Sequence, residues 1–327
     1  MRYYMAPLEG VTTYVYRNAY HKYFRPMDKY FTPFIVPHKE KKFSTREKKE
    51  LSLENNQGLF VVPQLLTNNA EDFLKTARDI TTYGYDEINL NLGCPSGTVV
   101  AKNKGSGFLA FPDELDRFLD RIYSEADFKI SIKTRLGKES PEEFFKLLDI
   151  FNKYPIEELI IHPRVQRDFY KNIPNWDMYE VAYKNSKNSL CYNGDLFSVE
   201  KCQKLLERFP QTETVMVGRG IITNPALVND IEQIDILTKD RLLTFHNMIY
   251  ESYQEISSGD RNVLFKMKEL WFFMAALFLE SDKFMKKIKK SEKLKDYEYV
   301  IQQLFESCDL KNEFRYWRKY VKRLHRI

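Results

Sequence analysis

Cysteine is scarce in this chain of 327 residues: Cys94, Cys191, Cys202 and Cys308 are the whole set, and no two form a C-x-x-C pair. That spacing argues against iron–sulfur and structural zinc sites, so no metal is expected. Long apolar runs are missing as well. No stretch reaches the ~18 residues needed to cross a bilayer, so no membrane association is expected. The opening residues, Met1-Arg2-Tyr3-Tyr4-Met5-Ala6-Pro7, lack the apolar segment of a secretory signal and read as a strand, which suits a cytoplasmic protein. The dinucleotide fingerprint G-x-G-x-x-G is absent, because Gly218-Arg219-Gly220 lacks its third glycine. Internal repeats and low-complexity tracts are absent too.

What is present is a large apolar fraction, 43%, in a chain long enough for a barrel of ~250 residues with an appendage. The net charge of +5 is unevenly spread: residues 241–327 carry 18 Lys/Arg against 12 Asp/Glu, while residues 1–240 are close to neutral. A basic excess confined to one end is a footprint for polyanion binding. Lysines cluster at 283–295, and a second basic stretch from Lys311 to Arg326 is interleaved with Phe314, Tyr316, Trp317 and Tyr320. Such mixing of cations with aromatic rings suits RNA.

Eight short apolar segments recur at 2–6, 29–34, 59–65, 87–92, 129–133, 158–162, 190–193 and 214–217. Helical patterns lie between most of them, clearest at 70–83, 113–126, 141–153 and 199–209. Strand–helix alternation with continuously apolar strands implies a parallel sheet covered by helices, and eight strands imply a closed (β/α)8 TIM barrel. A doubly wound open sheet is the alternative. Nine of the 12 glycines fall just after a segment of this kind, on the face where barrels build active sites. Beyond about residue 240 the strands stop; helices are expected at 265–279, 297–308 and 314–324, forming an all-helical C-terminal domain. The charged run at 40–50 reads as a solvated surface excursion.

The segment 87–92 leads into Gly93-Cys94-Pro95-Ser96. A thiol held between glycine and proline is positioned rather than packed, and its reference pKa of ~8.5 lets it exchange a proton near neutrality. The other three cysteines read as small buried hydrophobes. Asn193-Gly194-Asp195 and Gly218-Arg219 follow strands seven and eight, the usual phosphate site of such barrels. Glycine lets backbone N–H groups approach an anion and arginine adds a charged fork, so a mononucleotide such as FMN fits better than NAD. Lys133 and His162 end adjacent strands, where a cation would favour an anionic reduced flavin. Gln64 is placed to hydrogen-bond a flavin edge, and Ala6-Pro7-Leu8 offers an apolar, N–H-poor surface for a ring.

These motifs resemble the tRNA-dihydrouridine synthases. The resemblance rests on Met5-Ala6-Pro7-Leu8-Glu9-Gly10-Val11-Thr12, Gln64, Asn89-Leu90-Asn91-Leu92-Gly93-Cys94-Pro95, Lys133-Thr134-Arg135-Leu136-Gly137, His162-Pro163-Arg164, Asn193-Gly194-Asp195 and Val217-Gly218-Arg219-Gly220, in that order. It implies an FMN-dependent oxidoreductase that reduces the C5–C6 double bond of a uridine with NADPH, hydride passing from flavin N5 to C6. It implies FMN contacts at Gln64, Lys133, His162, Asn193, Gly194, Asp195, Gly218 and Arg219. Cys94, on a mobile loop, would be the acid that protonates C5. Asn91, Arg135, Arg164 and Tyr170 would lie near the uracil or its nucleotide. The base must be unstacked to react. The expected organisation is a catalytic barrel at 1–240 and a helical RNA-binding domain at 241–327, in a monomer. tRNA is the expected partner, with ribosomal RNA or a small enone or pyrimidine as alternatives; a small substrate would not require the basic tail. The chain departs from the family pattern at Pro163, where glycine is usual, at Val165-Gln166-Arg167-Asp168, and in the middle of the loop after Cys94, residues 101–104.

Overall fold

The computed structural model describes residues 1–38 and 42–311, so the helix expected at 314–324 lies outside the described residues. The chain forms two compact units. The first comprises Met1–Pro7, Asp28–Asp195 and Leu205–Val217; the second comprises Leu8–Met27, Leu196–Lys204 and the chain from Gly218 onward.

The first unit holds nine strands: β1 (Arg2–Met5), β2 (Lys29–Phe31), β3 (Val61–Val62), β4 (Gln64–Leu65), β5 (Glu87–Leu92), β6 (Lys129–Gly137), β7 (Leu159–Val165), β8 (Leu190–Asn193) and β9 (Thr214–Val217). All pair in parallel, in the order β3-β2-β1-β9-β8-β7-β6-β5-β4. The two ends of that order, β3 and β4, are separated only by Pro63. The third expected segment is thus one strand interrupted, because proline has no N–H to donate to a ladder. Its carbonyl still accepts from Asn89 N at 2.8 Å, while Val62 O accepts from Thr32 N at 3.1 Å. The same short stretch therefore binds β2 on one side and β5 on the other, and the sheet closes as a TIM-like barrel. Inside it Tyr4, Ala6, Phe31, Val62, Ile160, Cys191 and Met216 pack together. Each large apolar side chain so buried contributes about 1.5–3 kcal/mol. Cys191, Cys202 and Cys308 are all buried, as small hydrophobes would be.

Two strands outrun their expected ends. β6 and β7 continue to Gly137 and Val165, which pair with each other after a register shift beyond Arg135. Lys133 and His162 consequently lie within strands rather than at their termini.

The covering helices start where local chemistry dictates. Asn69 Oδ1 accepts from Asp72 N at 2.8 Å to cap Ala70–Thr81, which buries Phe73, Leu74, Ala77 and Ile80 on one face. Pro112 opens Pro112–Glu125, followed by Asp113 and Glu114 in the first turn. The helix expected from 141 begins instead at Glu143, because the Glu143 carboxylate accepts from the N–H groups of Lys138, Glu139 and Ser140, each at 2.8 Å. The 40–50 run is not wholly solvated: Ser44 and Glu47 form a capping box for the helix Thr45–Leu51, which buries Glu50 and Leu51.

The second unit is helical among the described residues, with Tyr14–Tyr23, Arg219–Thr223, Leu227–Glu232, Lys239–Ile256, Asp260–Met274, Asp282–Lys290 and Leu294–Ser307. The apolar helix expected at 265–279 is Asp260–Met274 continued by a tighter turn, Ala275–Leu277. Its Trp271 donates to Tyr297 Oη at 2.8 Å, and His246 Nε2 lies 2.6 Å from the same oxygen. Burial holds the His246 pKa down at about 4, so this ring is a neutral packing group. No described helix is long and apolar enough to cross a membrane.

A polar cluster sits where strands of the first unit begin. Lys29 Nζ lies 2.7 Å from Glu87 Oε2 and 3.9 Å from Glu158 Oε2, and Tyr4 Oη donates to Glu158 Oε1 at 3.1 Å. Burial raises the Glu158 pKa to about 7 despite the opposing Lys29 charge. A carboxyl whose folded pKa exceeds its unfolded value contributes stability when protonated, and that contribution fades as pH climbs from about 4.5 through about 7. The effect is on the order of 3 kcal/mol at most. Glu158→Gln should therefore show a flatter stability profile than the parent between about pH 5 and pH 8. Urea unfolding across that range reads this, and parallel profiles for the two proteins would mean that Glu158 does not titrate there.

Candidate active site

In-register pairing delivers most of the expected residues to the C-terminal half of the strands. Gln64 pairs with Asn89 and Asn89 with Ser131; one residue pair further on, Asn91 pairs with Lys133. Arg135 pairs with His162 on the next ladder. Neighbours in register present their side chains to the same face.

Cys94 is half-buried two residues past β5. Asn91 Oδ1 accepts from the N–H groups of Gly93 and Cys94 at 3.0 and 2.9 Å, and Asn91 Nδ2 donates to Gln64 Oε1 at 2.7 Å. On the other side the Cys94 carbonyl accepts from Ser106 Oγ at 2.7 Å and Ser106 N at 3.1 Å. Gly105 makes that approach feasible: at φ +55° a Cβ here would fall 2.9 Å from the Cys94 oxygen. Gln166 adds a bond to Pro95 O at 3.1 Å. Where a mobile loop is expected, the backbone carrying the thiol is anchored from both directions.

Lys133 keeps a positive charge at neutral pH, although burial and the nearby Arg135 charge lower its pKa to about 8. Arg135 and Arg164, expected near the substrate, are almost wholly buried and brace the protein itself. Arg135 donates to the carbonyls of Gly93, Val165 and Phe169 at 3.0, 2.9 and 2.9 Å. Arg164 forks onto the Asp195 carboxylate and donates to Asn172 O at 2.6 Å. It also lies 3.0 Å from His162 Nε2. A guanidinium cannot accept, so Nε2 must be the unprotonated nitrogen and Nδ1 carries the hydrogen. Tyr170 stacks on His162 with ring centres 6.1 Å apart, and the Arg135 guanidinium lies 5.4 Å from the Tyr170 ring centre.

Asn193 Nδ2 donates to Met216 O at 2.8 Å. A Cβ on Gly194 would come 3.0 Å from Tyr192 Oη, a contact tight enough that the tyrosine would have to give way slightly. Ala6 N donates to Val217 O at 2.9 Å. Pro7 has no N–H. Leu8, Gly218 and Arg219 belong to the second unit. There Leu8 N donates to Thr12 Oγ1 at 2.7 Å, Gly218 precedes the helix Arg219–Thr223, and the Arg219 guanidinium lies 5.3 Å from the Phe197 ring centre.

Four residues were not anticipated: Asn89, Ser131, Ser106 and Gln166. The alternation of Asn89 and Asn91 in an otherwise apolar strand was the available signal, since residues two apart share a face. Ser106 and Gln166 gave none, because their partners are distant in sequence.

The family model for dihydrouridine synthase (Dus) matches residues 4–321. The chain belongs to the dihydrouridine synthase family. It is 30% identical over 263 residues to a probable tRNA-dihydrouridine synthase of Staphylococcus aureus (strain COL), covering 77% of this chain and 78% of that one. It is 24% identical to tRNA-dihydrouridine synthase B of Pasteurella multocida, covering 78% and 77%. Among solved structures it is similar in fold to the old yellow enzyme of Trypanosoma cruzi, with a TM-score of 0.52, 10% identity, and coverage of 79% of this chain and 94% of that one. A morphinone reductase mutant in complex with tetrahydroNAD gives the same TM-score at 13% identity, covering 75% and 90%. As a dihydrouridine synthase family member this protein is an oxidoreductase.

The Arg164–Asp195 pair is a charged brace between β7 and the turn after β8. Asp195→Ala leaves a buried guanidinium short of its counter-charge and should cost about 3 kcal/mol, whereas Asp195→Asn should cost less. Chemical denaturation of the two variants tests the brace, and equal stability of Asp195→Ala and the parent would remove it.

Proposed function

We propose that the protein reduces a uridine in RNA, tRNA in the first place, to 5,6-dihydrouridine, with FMN as resident cofactor and NADPH as reductant. Family membership across residues 4–321 is the observation that carries this reading. The side chains support it. A lysine cation, an imidazole N–H and a primary amide, from Lys133, His162 and Asn91, make a donor set suited to the polar edge of an isoalloxazine, with the buried Gln64 bonded behind Asn91. Ala6 and Pro7 would underlie the ring. In the first unit, backbone N–H groups of the turn Asn193-Gly194-Asp195 would hold the phosphate end.

When bound, FMN supplies hydride to C6 of the uracil and is itself restored by NADPH. The remaining work falls to the chain. Lys133 keeps a positive charge near the reacting edge and favours negative charge that develops there. Cys94 holds the proton destined for C5, and its backbone is fixed by Asn91 and Ser106 so that the thiol is aimed rather than searching. Tyr170, Arg135 and Arg164 shape the place of the nucleotide.

RNA capture is assigned to a helical domain at 241–327 appended to a catalytic domain at 1–240. In Asp282–Lys290, Phe284 and Ile288 turn inward while Lys283, Lys286, Lys287, Lys289 and Lys290 are exposed, with Lys293 and Lys295 just beyond. This amphipathic split leaves a basic face for phosphates. Lys311, in contrast, donates to Ala276 O at 2.6 Å, and the rest of the second basic stretch lies outside the described residues.

Two outcomes are expected. Cys94→Ala should retain FMN and NADPH oxidation but lose uridine reduction; dihydrouridine formation at the parent rate would refute the acid assignment. Replacing Lys286, Lys287 and Lys290 together by glutamate should weaken RNA binding by ~10-fold or more and flatten its dependence on salt, since each neutralised phosphate contributes ~0.7–0.9 to the log–log slope. Filter binding over a salt series reads both quantities. An unchanged slope would move the RNA contact elsewhere.

A further inference from the structure

We propose that Asn89 and Ser131, two fully buried residues inside the barrel, are positioning residues that hold the Gln64 amide in the orientation the Cys94 backbone imposes, and so fix Asn91, the partly exposed member of the relay, beside the cofactor. The inference rests on the cofactor reading above.

The argument is one of donors and acceptors. Backbone N–H groups only donate. Gly93 N and Cys94 N both point at the Asn91 side chain, at 3.0 and 2.9 Å, so the atom between them must be Asn91 Oδ1. Asn91 Nδ2 then faces Gln64 at 2.7 Å, so that atom of Gln64 must be Oε1. Gln64 Nε2 in turn donates to Asn89 Oδ1 at 2.8 Å, and Asn89 Nδ2 donates to Ser131 Oγ at 2.9 Å. Gln64, Asn89 and Ser131 are 0% exposed and Asn91 is 7% exposed. Water therefore competes little for these bonds, and a misdirected amide would leave donors facing donors. A backbone that cannot reverse its polarity thus dictates the orientation of three successive amides.

The far end of the relay differs from the near end. A serine hydroxyl can donate as well as accept. The whole chain can invert without losing a bond if residue 91 presents oxygen on both sides. Asn91→Asp does this: one oxygen still accepts from Gly93 and Cys94, the other accepts from Gln64 Nε2, Gln64 turns its oxygen to Asn89 Nδ2, and Asn89 Oδ1 accepts from Ser131.

The test uses the full chain, freed of flavin and titrated with FMN. Measured are FMN affinity, the bound flavin absorption spectrum, and the rate at which iodoacetamide alkylates Cys94 in the flavin-free protein. Asn89→Leu and Ser131→Ala should each weaken FMN by about tenfold, the equivalent of one buried hydrogen bond, and shift the flavin spectrum. Ser131→Thr, which keeps a hydroxyl, should restore both. Asn91→Asp should shift the spectrum further and change the alkylation rate. If Asn89→Leu does not fold, Ser131→Ala and Ser131→Thr carry the test alone. Parent protein that binds FMN, with Ser131→Ala identical to it in affinity, spectrum and alkylation, overturns the relay and leaves the proposed function standing. Parent protein that takes up no FMN overturns the cofactor reading itself, and the relay's role toward a cofactor with it.

Discussion

The hydrogen-bond register between β4, β5 and β6 is the constraint on which the site depends. Gln64, Asn89 and Ser131 lie side by side because their strands pair in parallel at those residues. Asn91 and Lys133 follow as the next inward row, and the turn that carries Cys94 hangs from Asn91. A slip of one residue would send these side chains to the opposite face of the sheet. Buried apolar residues on the same strands, Leu65, Ile88, Leu90 and Ile132, would be exchanged with them by such a slip.

Charge is used differently at the two ends of the strands. Near the strand starts, Lys29 is shared between Glu87 and Glu158, and the Glu158 carboxyl titrates near pH 7 because burial outweighs the lysine's pull. Toward the strand ends, Arg135 and Arg164 are buried with their forks filled by carbonyls and by Asp195. Buried guanidinium groups are tolerable only when so satisfied. Once satisfied they lock the segment after β7 against Gly93, at the base of the thiol loop. The residues flanking reaction chemistry are in this way held by groups that need not react.

Much of this was legible from residue order. The spacing of apolar segments gave a barrel, and proline followed by acids at Pro112-Asp113-Glu114 marked a helix start through fixed φ and the helix dipole. The interruption at Pro63 was also visible in principle, since a proline cannot donate to a ladder. Other features were not. Glu143 starts a helix two residues late because its carboxylate gathers three N–H groups of the preceding loop, a geometry that no linear pattern encodes. The run at 40–50 read as solvated because its charges dominate the composition, yet Leu51 anchors it in the core.

By itself the sequence determined the chemical inventory: a thiol between glycine and proline, a lysine and a histidine on neighbouring strands, loops rich in glycine after late strands, and a basic end. These are local, and local spacing is written directly in residue order. Only the tertiary structure decided the partners. Arg135 and Arg164 could have faced a substrate or the protein; folding gave them carbonyls and a carboxylate. Ser131 is unremarkable in the linear chain, and it is linked through Asn89 to Gln64 only when three strands align. Hydrogen-bond polarity is a property of who meets whom, and that is fixed by the closing of the barrel.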